Sequence, residues 1–241
     1  MVLLCLSDIH GAGAGTAELV RSTELAGSLP VVVLGGDLTH LGGTREAEAI
    51  LEPIVGTGAR VLALPGNMDR PDVADYLERR GVLLHGRGRV IDGIGFFGLG
   101  GANRTPFGTP FEVADIEAAA KLEAGWRSIS EAPFKVLVSH APPRGTRIDR
   151  TFGGIHAGSA VVRRFLESHD VALSISGHIH EAEGEDTVGR TRCINTGAWK
   201  NGRYAVVTID AAEAGPRIAV DWRSGGAEEG PGSGPPRGRK R

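Results

Sequence analysis

Two short apolar runs in this chain end in polar residues spaced for chemistry. The first, Leu4 to His10, reads L-C-L-S-D-I-H, and the second, Leu173 to His180, reads L-S-I-S-G-H-I-H. Residues i and i+2 of an extended segment point to the same side, so Asp8 with His10, and His178 with His180, can each aim two donor atoms at one point. Carboxylate and imidazole groups gathered in this way bind metal ions. One such pair is a weak signal. Two pairs from distant parts of the sequence, with further candidates between them, predict a two-metal hydrolytic site.

The elements that must position these groups follow from the pattern of apolar runs. Val2 to Ser7, Val31 to Leu34 and Arg60 to Leu64 read as strands buried on both faces. They end, respectively, at Asp8-Ile9-His10, Gly35-Gly36-Asp37 and Pro65-Gly66-Asn67-Met68-Asp69. Helices are expected from Thr16 to Ala26, from Thr44 to Glu52 with Thr44 as cap and Pro53 as stop, and from Pro71 to Arg80. This alternation predicts an α/β domain with a largely parallel sheet, in which ligands collect at the carboxyl ends of the strands. Val82 to Leu99 reads as small strands and hairpins closing the first half, and Gly100 to Pro110 as a loop.

The second half repeats the logic. Phe111 to Trp126 has helical composition, Lys135 to Ser139 is a strand ending in His140, and a polar loop from Ala141 to His156 carries Arg144, Arg147 and Arg150. A helix from Ser159 to His169, capped by Ser159, leads into the strand Val171 to Ser176. Arg192 to Asn195 and Arg203 to Ile209 are expected as antiparallel strands completing this half, with Ile218 to Trp222 at an edge. Residues 1–223 are therefore expected to form one domain. Residues 224–241, rich in Gly and Pro and ending in Arg-Gly-Arg-Lys-Arg, read as a disordered basic tail.

Composition narrows the function classes. A formal net charge of -2 gives the molecule no general attraction to nucleic acid or an anionic membrane. The apolar opening, Met1 to Leu6, lacks a basic leader and is far shorter than a bilayer span, so it is expected to be a strand. Cys5 and Cys193 lie inside apolar runs, which predicts two buried thiols in a cytoplasmic protein and no disulfide framework.

Set in order, the strand-end groups resemble the motif series of the calcineurin-like metallophosphoesterase superfamily. They are Asp8-Ile9-His10, Gly36-Asp37, Gly66-Asn67-Met68-Asp69, His140 and Gly177-His178-Ile179-His180. The resemblance spans roughly residues 1 to 210, and the Gly66-Asn67-x-Asp69 form is similar to the smaller archaeal and bacterial phosphodiesterase-type members. It implies two mixed β-sheets packed face to face with helices on both outer sides. It also implies that Asp8, His10 and His180 hold one ion, that Asn67, His140 and His178 hold the other, and that Asp37 bridges both. Two divalent ions are then the expected cofactors, manganese first, with iron, nickel, cobalt or zinc also suited to imidazole, carboxylate and amide donors. A bridging hydroxide attacking a phosphoester in line with the leaving oxygen is the implied mechanism.

Asp69 is expected one layer out, hydrogen-bonded to a ligand histidine. Met68 is a departure, because the family's commonest pattern has histidine there, taken to stabilise the transition state or protonate the leaving group. His156 and the loop arginines are candidates to assist, with Arg144, Arg147 and Arg150 able to grip a phosphate; a solvated charged loop is the alternative. A phosphodiester substrate is the expectation. A phosphomonoesterase, a nuclease using the basic tail and a non-catalytic scaffold are the rivals. His40 and His85 are read as surface residues and His169 as a helix terminus. A small phosphoester is the expected partner, no membrane is expected, and nothing in the sequence specifies an oligomeric state.

Overall fold

The side chains of the first strand go alternately to two different cores. In β1 (Val2–Leu6), Leu4 and Leu6 lie under helices, while Leu3 and Cys5 face a second sheet. The computed structural model describes residues 1–23, 27–105, 108–212 and 215–225. After β1 come α1 (Thr16–Ser22), β2 (Val31–Leu34), α2 (Thr44–Val55), β3 (Val61–Ala63) and α3 (Pro71–Arg79). A hairpin of β4 (Gly88–Ile91) and β5 (Ile94–Leu99) follows, then the short β6 (Ala102–Asn103) and β7 (Glu112–Val113), α4 (Asp115–Arg127) and β8 (Phe134–Ser139). The chain continues through α5 (Ala160–Ser168), β9 (Leu173–Ser176), β10 (Gly184–Val188), β11 (Thr191–Asn195), β12 (Arg203–Ala212) and β13 (Gly215–Ser224).

Two mixed sheets result. One has the order β13-β12-β1-β2-β3, with β1, β2 and β3 parallel and β12 antiparallel to both β1 and β13. The other has the order β10-β11-β9-β8-β5-β4, parallel from β5 through β8 and β9 to β11 and antiparallel at both edges. Their inner faces meet through Val31, Val33, Leu62 and Val207 on one side and Phe96, Val136, Val138 and Ile175 on the other. Helices α2 and α3 cover the outside of the first sheet and α4 and α5 the outside of the second. This is the four-layer arrangement the motif series implies. Each fully buried aliphatic side chain contributes about 1.5–3 kcal/mol, so strands buried on both faces anchor their ends firmly.

Several expectations are corrected. The hairpin β4–β5 does not close the first sheet but forms an edge of the second, and β12 and β13 return to the first sheet instead of finishing the second. Short strands carry no sequence mark of which sheet they join. The helix α2 is capped by Gly43, with Thr44 already helical, and it runs through Pro53 to Val55. The carbonyl deprived of a donor by Pro53 belongs to Ala49; both residues are exposed, so water can serve it, while buried Ile54 holds the last turn to the core. The helix expected from Phe111 begins only at Asp115, because Glu112–Val113 pairs as a strand with Ala102–Asn103. Residues 24–26 of the first expected helix lie outside the described residues. Ser224, read as the start of the tail, pairs with Arg203, and the rest of that segment from 226 lies outside the described residues.

Candidate metal centre

Every group singled out for metal binding follows the carboxyl end of a strand, and the two sheets bring those ends together. Asp8 and His10 follow β1, Asp37 follows β2, Asn67 follows β3, His140 follows β8, and His178 and His180 follow β9. The turns are stitched to one another by backbone bonds: Asp8 N–H to the Gly36 carbonyl at 3.0 Å, His10 N–H to the Asp37 carbonyl at 2.8 Å, and Gly177 N–H to the His140 carbonyl at 3.1 Å. The close approach demands glycine at 66, where a Cβ would fall on the Asp37 carboxylate and backbone nitrogen.

The expected i, i+2 geometry of extended chain is not how the donors converge. Among the described residues six non-glycines have positive φ, and four of them are Asp8 (55°), His10 (48°), Asp37 (49°) and His178 (68°). Left-handed backbone costs of order 1–3 kcal/mol per residue and persists where the surrounding structure enforces it, characteristically at functional sites. The strands end one to four residues earlier than their ligands, and the strained turns do the aiming.

The donor atoms form two adjoining groups. His180 Nε2 lies 3.1 Å from Asp8 Oδ1 and 3.4 Å from His10 Nε2. The His140 Nε2 atom lies 3.0 Å from Asn67 Oδ1, and the His140 ring centroid is 4.9 Å from that of His178. Between the groups, Asp37 Oδ2 is 3.6 Å from His10 Nε2 and 3.5 Å from His140 Nε2. Donor atoms of Asp8, His10 and His180 all fall within 4.8 Å of one another, as do those of Asp8, Asp37 and His140. Imidazole nitrogens and carboxylate oxygens packed this closely, with both carboxylates buried, fit divalent cations: the Nε2 atoms of His10, His140 and His180 each lie 3.1 to 3.6 Å from a carboxylate oxygen.

The electrostatics agree with that reading. Burial would raise the Asp8 carboxyl, but the His180 hydrogen bond, the His140 charge and the His178 backbone N–H at 2.9 Å hold it well below the usual range. Asp37 is likewise depressed, against burial, by His140 and by the Met68 N–H, which donates to Oδ1 at 2.8 Å. Burial disfavours a charged His140, yet Asp37 and Asp8 together push it up to about 9. Burial lowers His10 and His178 to about 4, so these two imidazoles are neutral and carry a lone pair for a metal.

Around the donors, the structure corrects several assignments. Asp69 does not reach a ligand histidine. Its carboxylate accepts from Leu38 N–H (3.1 Å), Thr39 N–H (2.7 Å), Thr39 Oγ1 (2.8 Å) and Gly66 N–H (2.8 Å), binding the Asp37 turn to the Asn67 turn. Three backbone donors converge there, and burial pushes the carboxyl up to about 6. Arg147 is not a phosphate grip: its guanidinium donates to the Glu185 carbonyl at 3.0 Å and sits 3.7 Å from Asp186, on β10. His85 is buried, its Nδ1 accepting from Gly100 N–H at 2.9 Å, and burial lowers it to about 4. As expected, His169 ends α5, where it stacks on Phe165 with ring centroids 3.9 Å apart. Cys5 and Cys193 are the buried free thiols expected, and burial pushes Cys193 up to about 12.

Other residues gain a place. His40 is exposed as expected, but its Nδ1 lies 3.4 Å from His10 Nδ1. Lys200 joins the outer wall of the same group, its N–H donating to the Asp8 carbonyl at 3.2 Å. Lys200 sits in a short turn after β11 that carries no motif, which is why its sequence gives no signal. His156 Nδ1 is 2.7 Å from the buried carboxylate of Asp149, and its side chain is 42% exposed. That loop is fastened to the His178–His180 turn by buried Asn195, whose Nδ2 donates to the Ile148 carbonyl at 3.1 Å and the Ile179 carbonyl at 2.9 Å. Arg144 lines a groove of about 240 Å³ with Asn103, Arg104 and Gly158. Arg150 pairs through its backbone with His156.

These features meet in comparisons with known proteins. Residues 1–182 match the model of the calcineurin-like phosphoesterase family, and the chain belongs to that family. An uncharacterized protein of Methanocaldococcus jannaschii, MJ1162, is 34% identical over 194 residues, covering 74% of this chain and 87% of that protein. Among solved structures, TT1561 of Thermus thermophilus aligns with a TM-score of 0.66 at 17% identity, covering 86% of this chain and 93% of that one. A dimetal phosphatase from Danio rerio aligns with a TM-score of 0.62 at 15% identity, covering 93% and 96%. At such identities the structural likeness speaks for the fold. No helix among the described residues is long and apolar enough to cross a membrane.

Proposed function

We propose that this chain hydrolyses phosphodiesters at a two-cation centre. The observation that carries the reading is Asp37 Oδ2, one buried carboxylate oxygen lying 3.6 Å from His10 Nε2 and 3.5 Å from His140 Nε2. Asp8, His10 and His180 would hold one cation and Asn67, His140 and His178 the other, with the Asp37 carboxylate serving both. Cations bound there, manganese first among the candidates, would lower the pKa of a water and neutralise charge on the phosphoryl oxygens. Two carboxylates against two divalent ions leave a net positive site suited to a phosphate ester. The neighbour described as a dimetal phosphatase supports the same chemistry.

The chain's own groups supply the rest. A water oxygen bonds to phosphorus as the bond to the leaving oxygen breaks; the water gives up a proton to solvent, and the leaving oxygen takes one. With Met68 unable to donate one, the donor is His156, whose Nδ1 is held by Asp149 and whose ring is open to solvent. Arg144 and Arg150 receive the remote part of the substrate. A diester presents one negative charge on phosphorus where a monoester presents two, and the thioether of Met68 lets an ester arm lie beside the centre without offering a cation to the second charge. The two buried free cysteines suit a cytoplasmic setting.

The test is a metal-by-substrate screen with paired alkyl and aryl monoesters and diesters. Wild type is expected to prefer diesters and Met68→His to gain on monoesters, with Asp37→Ala inactive throughout. Activity surviving Asp37→Ala would sink the mechanism. A wild type that clearly prefers alkyl monoesters would sink the diester assignment.

A further inference from the structure

Resting on the two-cation reading, we infer that His40 is a positioning residue for the first cation: its Nδ1 accepts the Nδ1 proton of His10 and so aims the His10 Nε2 lone pair into the centre.

The two nitrogens of His10 face different surroundings. Nε2 looks inward, 3.4 Å from His180 Nε2, 3.6 Å from Asp37 Oδ2 and 4.0 Å from Asp8 Oδ1. Nδ1 looks outward, and the partner beside it is His40 Nδ1 at 3.4 Å, the two rings meeting edge to face with centroids 5.4 Å apart. A neutral imidazole that offers its Nε2 lone pair to a cation carries its proton on Nδ1, and that N–H needs an acceptor. Only the tautomer of His40 protonated at Nε2 has a free lone pair on Nδ1 to serve it. A cation taken at His10 Nε2 would thus fix the tautomers of both rings through this contact.

The backbone that presents His40 is itself fixed. Thr39 is bound through its N–H and Oγ1 to Asp69, and the Leu41 N–H donates to the Met68 carbonyl at 2.9 Å. His40 is thus held in place from both sides while its ring remains exposed. The other ion is served differently. His140 Nδ1 lies 2.9 Å from the Gly35 carbonyl, a buried backbone acceptor that no substitution can remove. His140 and His10 consequently differ in how they are oriented: the first by buried main chain, the second by a replaceable surface side chain.

The experiment measures binding of Mn²⁺ and Zn²⁺ to the full chain by chelator competition, with metal content read by elemental analysis after gel filtration. Wild type, His40→Ala, His40→Asn, His40→Phe and Asp37→Ala are compared. Replacing an exposed residue leaves the fold within about 0.5 kcal/mol, so all the His40 variants are expected to fold. Outer partners of metal-binding histidines are worth about 10–100-fold in affinity. His40→Ala is expected to weaken one of the two sites by that factor and leave the other unchanged. His40→Asn, which supplies an amide oxygen, recovers most of the loss, and His40→Phe, which supplies only bulk, does not. Both dissociation constants within twofold of wild type in His40→Ala, or equal recovery by Phe and Asn, would overturn the inference while leaving the two-cation reading intact. A wild type that binds fewer than two ions overturns both.

Discussion

Loading the centre with metal should expel a proton, and the structure names its source. His140 is fully buried, and although burial works against its charge, Asp37 Oδ2 at 3.5 Å and the Asp8 carboxylate push it up to about 9 from an ordinary 6.5. His10 and His178 sit near 4, and Asp8 and Asp37 are already ionised, whereas near neutral pH His140 must lose a proton before its nitrogen can take a cation. Binding at about pH 7 then releases roughly one proton. Apparent affinity for the ion that uses His140 should rise about tenfold per pH unit and level off near pH 9, a gain of about 2.7 kcal/mol over two units. The same shift has a stability consequence. Because the folded pKa is raised, the His140 contribution to the metal-free fold is complete below 6.5 and is lost as the pH climbs through 9, so the melting temperature of the metal-free protein should fall across that window. Calorimetric titration of Mn²⁺ into metal-free protein, in two buffers of different ionisation enthalpy, counts the protons directly. A count near zero at neutral pH would refute the reasoning, as would an affinity flat between pH 7 and 9.

Two other outcomes are expected. Asp69→Ala strands the buried N–H groups of Leu38, Thr39 and Gly66, and should cost about 1–3 kcal/mol or more in a denaturant titration while loosening both ions, since it frees the turns that carry Asp37 and Asn67. His156→Ala should lower the rate about 100-fold or more on alkyl esters but much less on p-nitrophenyl esters, whose leaving oxygen needs no proton; a loss independent of the leaving group would remove His156 from proton delivery.

The candidate donors are legible in the sequence because each closes a buried apolar run, and a buried strand ending in Asp, Asn or His has few bland explanations. The geometry that makes them converge is not: left-handed φ at Asp8, His10, Asp37 and His178 is rarely announced by non-glycine residues. The alternation of β1, β2 and β3 with helices specifies a parallel sheet, but β12 and β5 are equally apolar strands, and their sheet membership depends on long-range pairing that a local pattern does not encode. The same limit explains His40. Three residues beyond Asp37 in a turn, it has the composition of surface, and only the folded turn shows it lying against His10. Asp69 stands out by its motif while its role does not, because a carboxylate that anchors backbone N–H groups has the same sequence appearance as one that orients an imidazole.

The return of β12 to the first sheet has a consequence for synthesis. β1 lies between β2 and β12, and its pairs with β12 join Leu3 to Val207 and Cys5 to Ala205. A nascent chain can lay β1 beside β2 as soon as both have left the ribosome, but the other edge of β1 stays open while the whole second sheet is translated and folded. The strand that presents Asp8 and His10 thus gains its second neighbour only after every strand of the second sheet has been made. Until then its apolar edge is open to wrong pairing, and completion of the centre waits for β12.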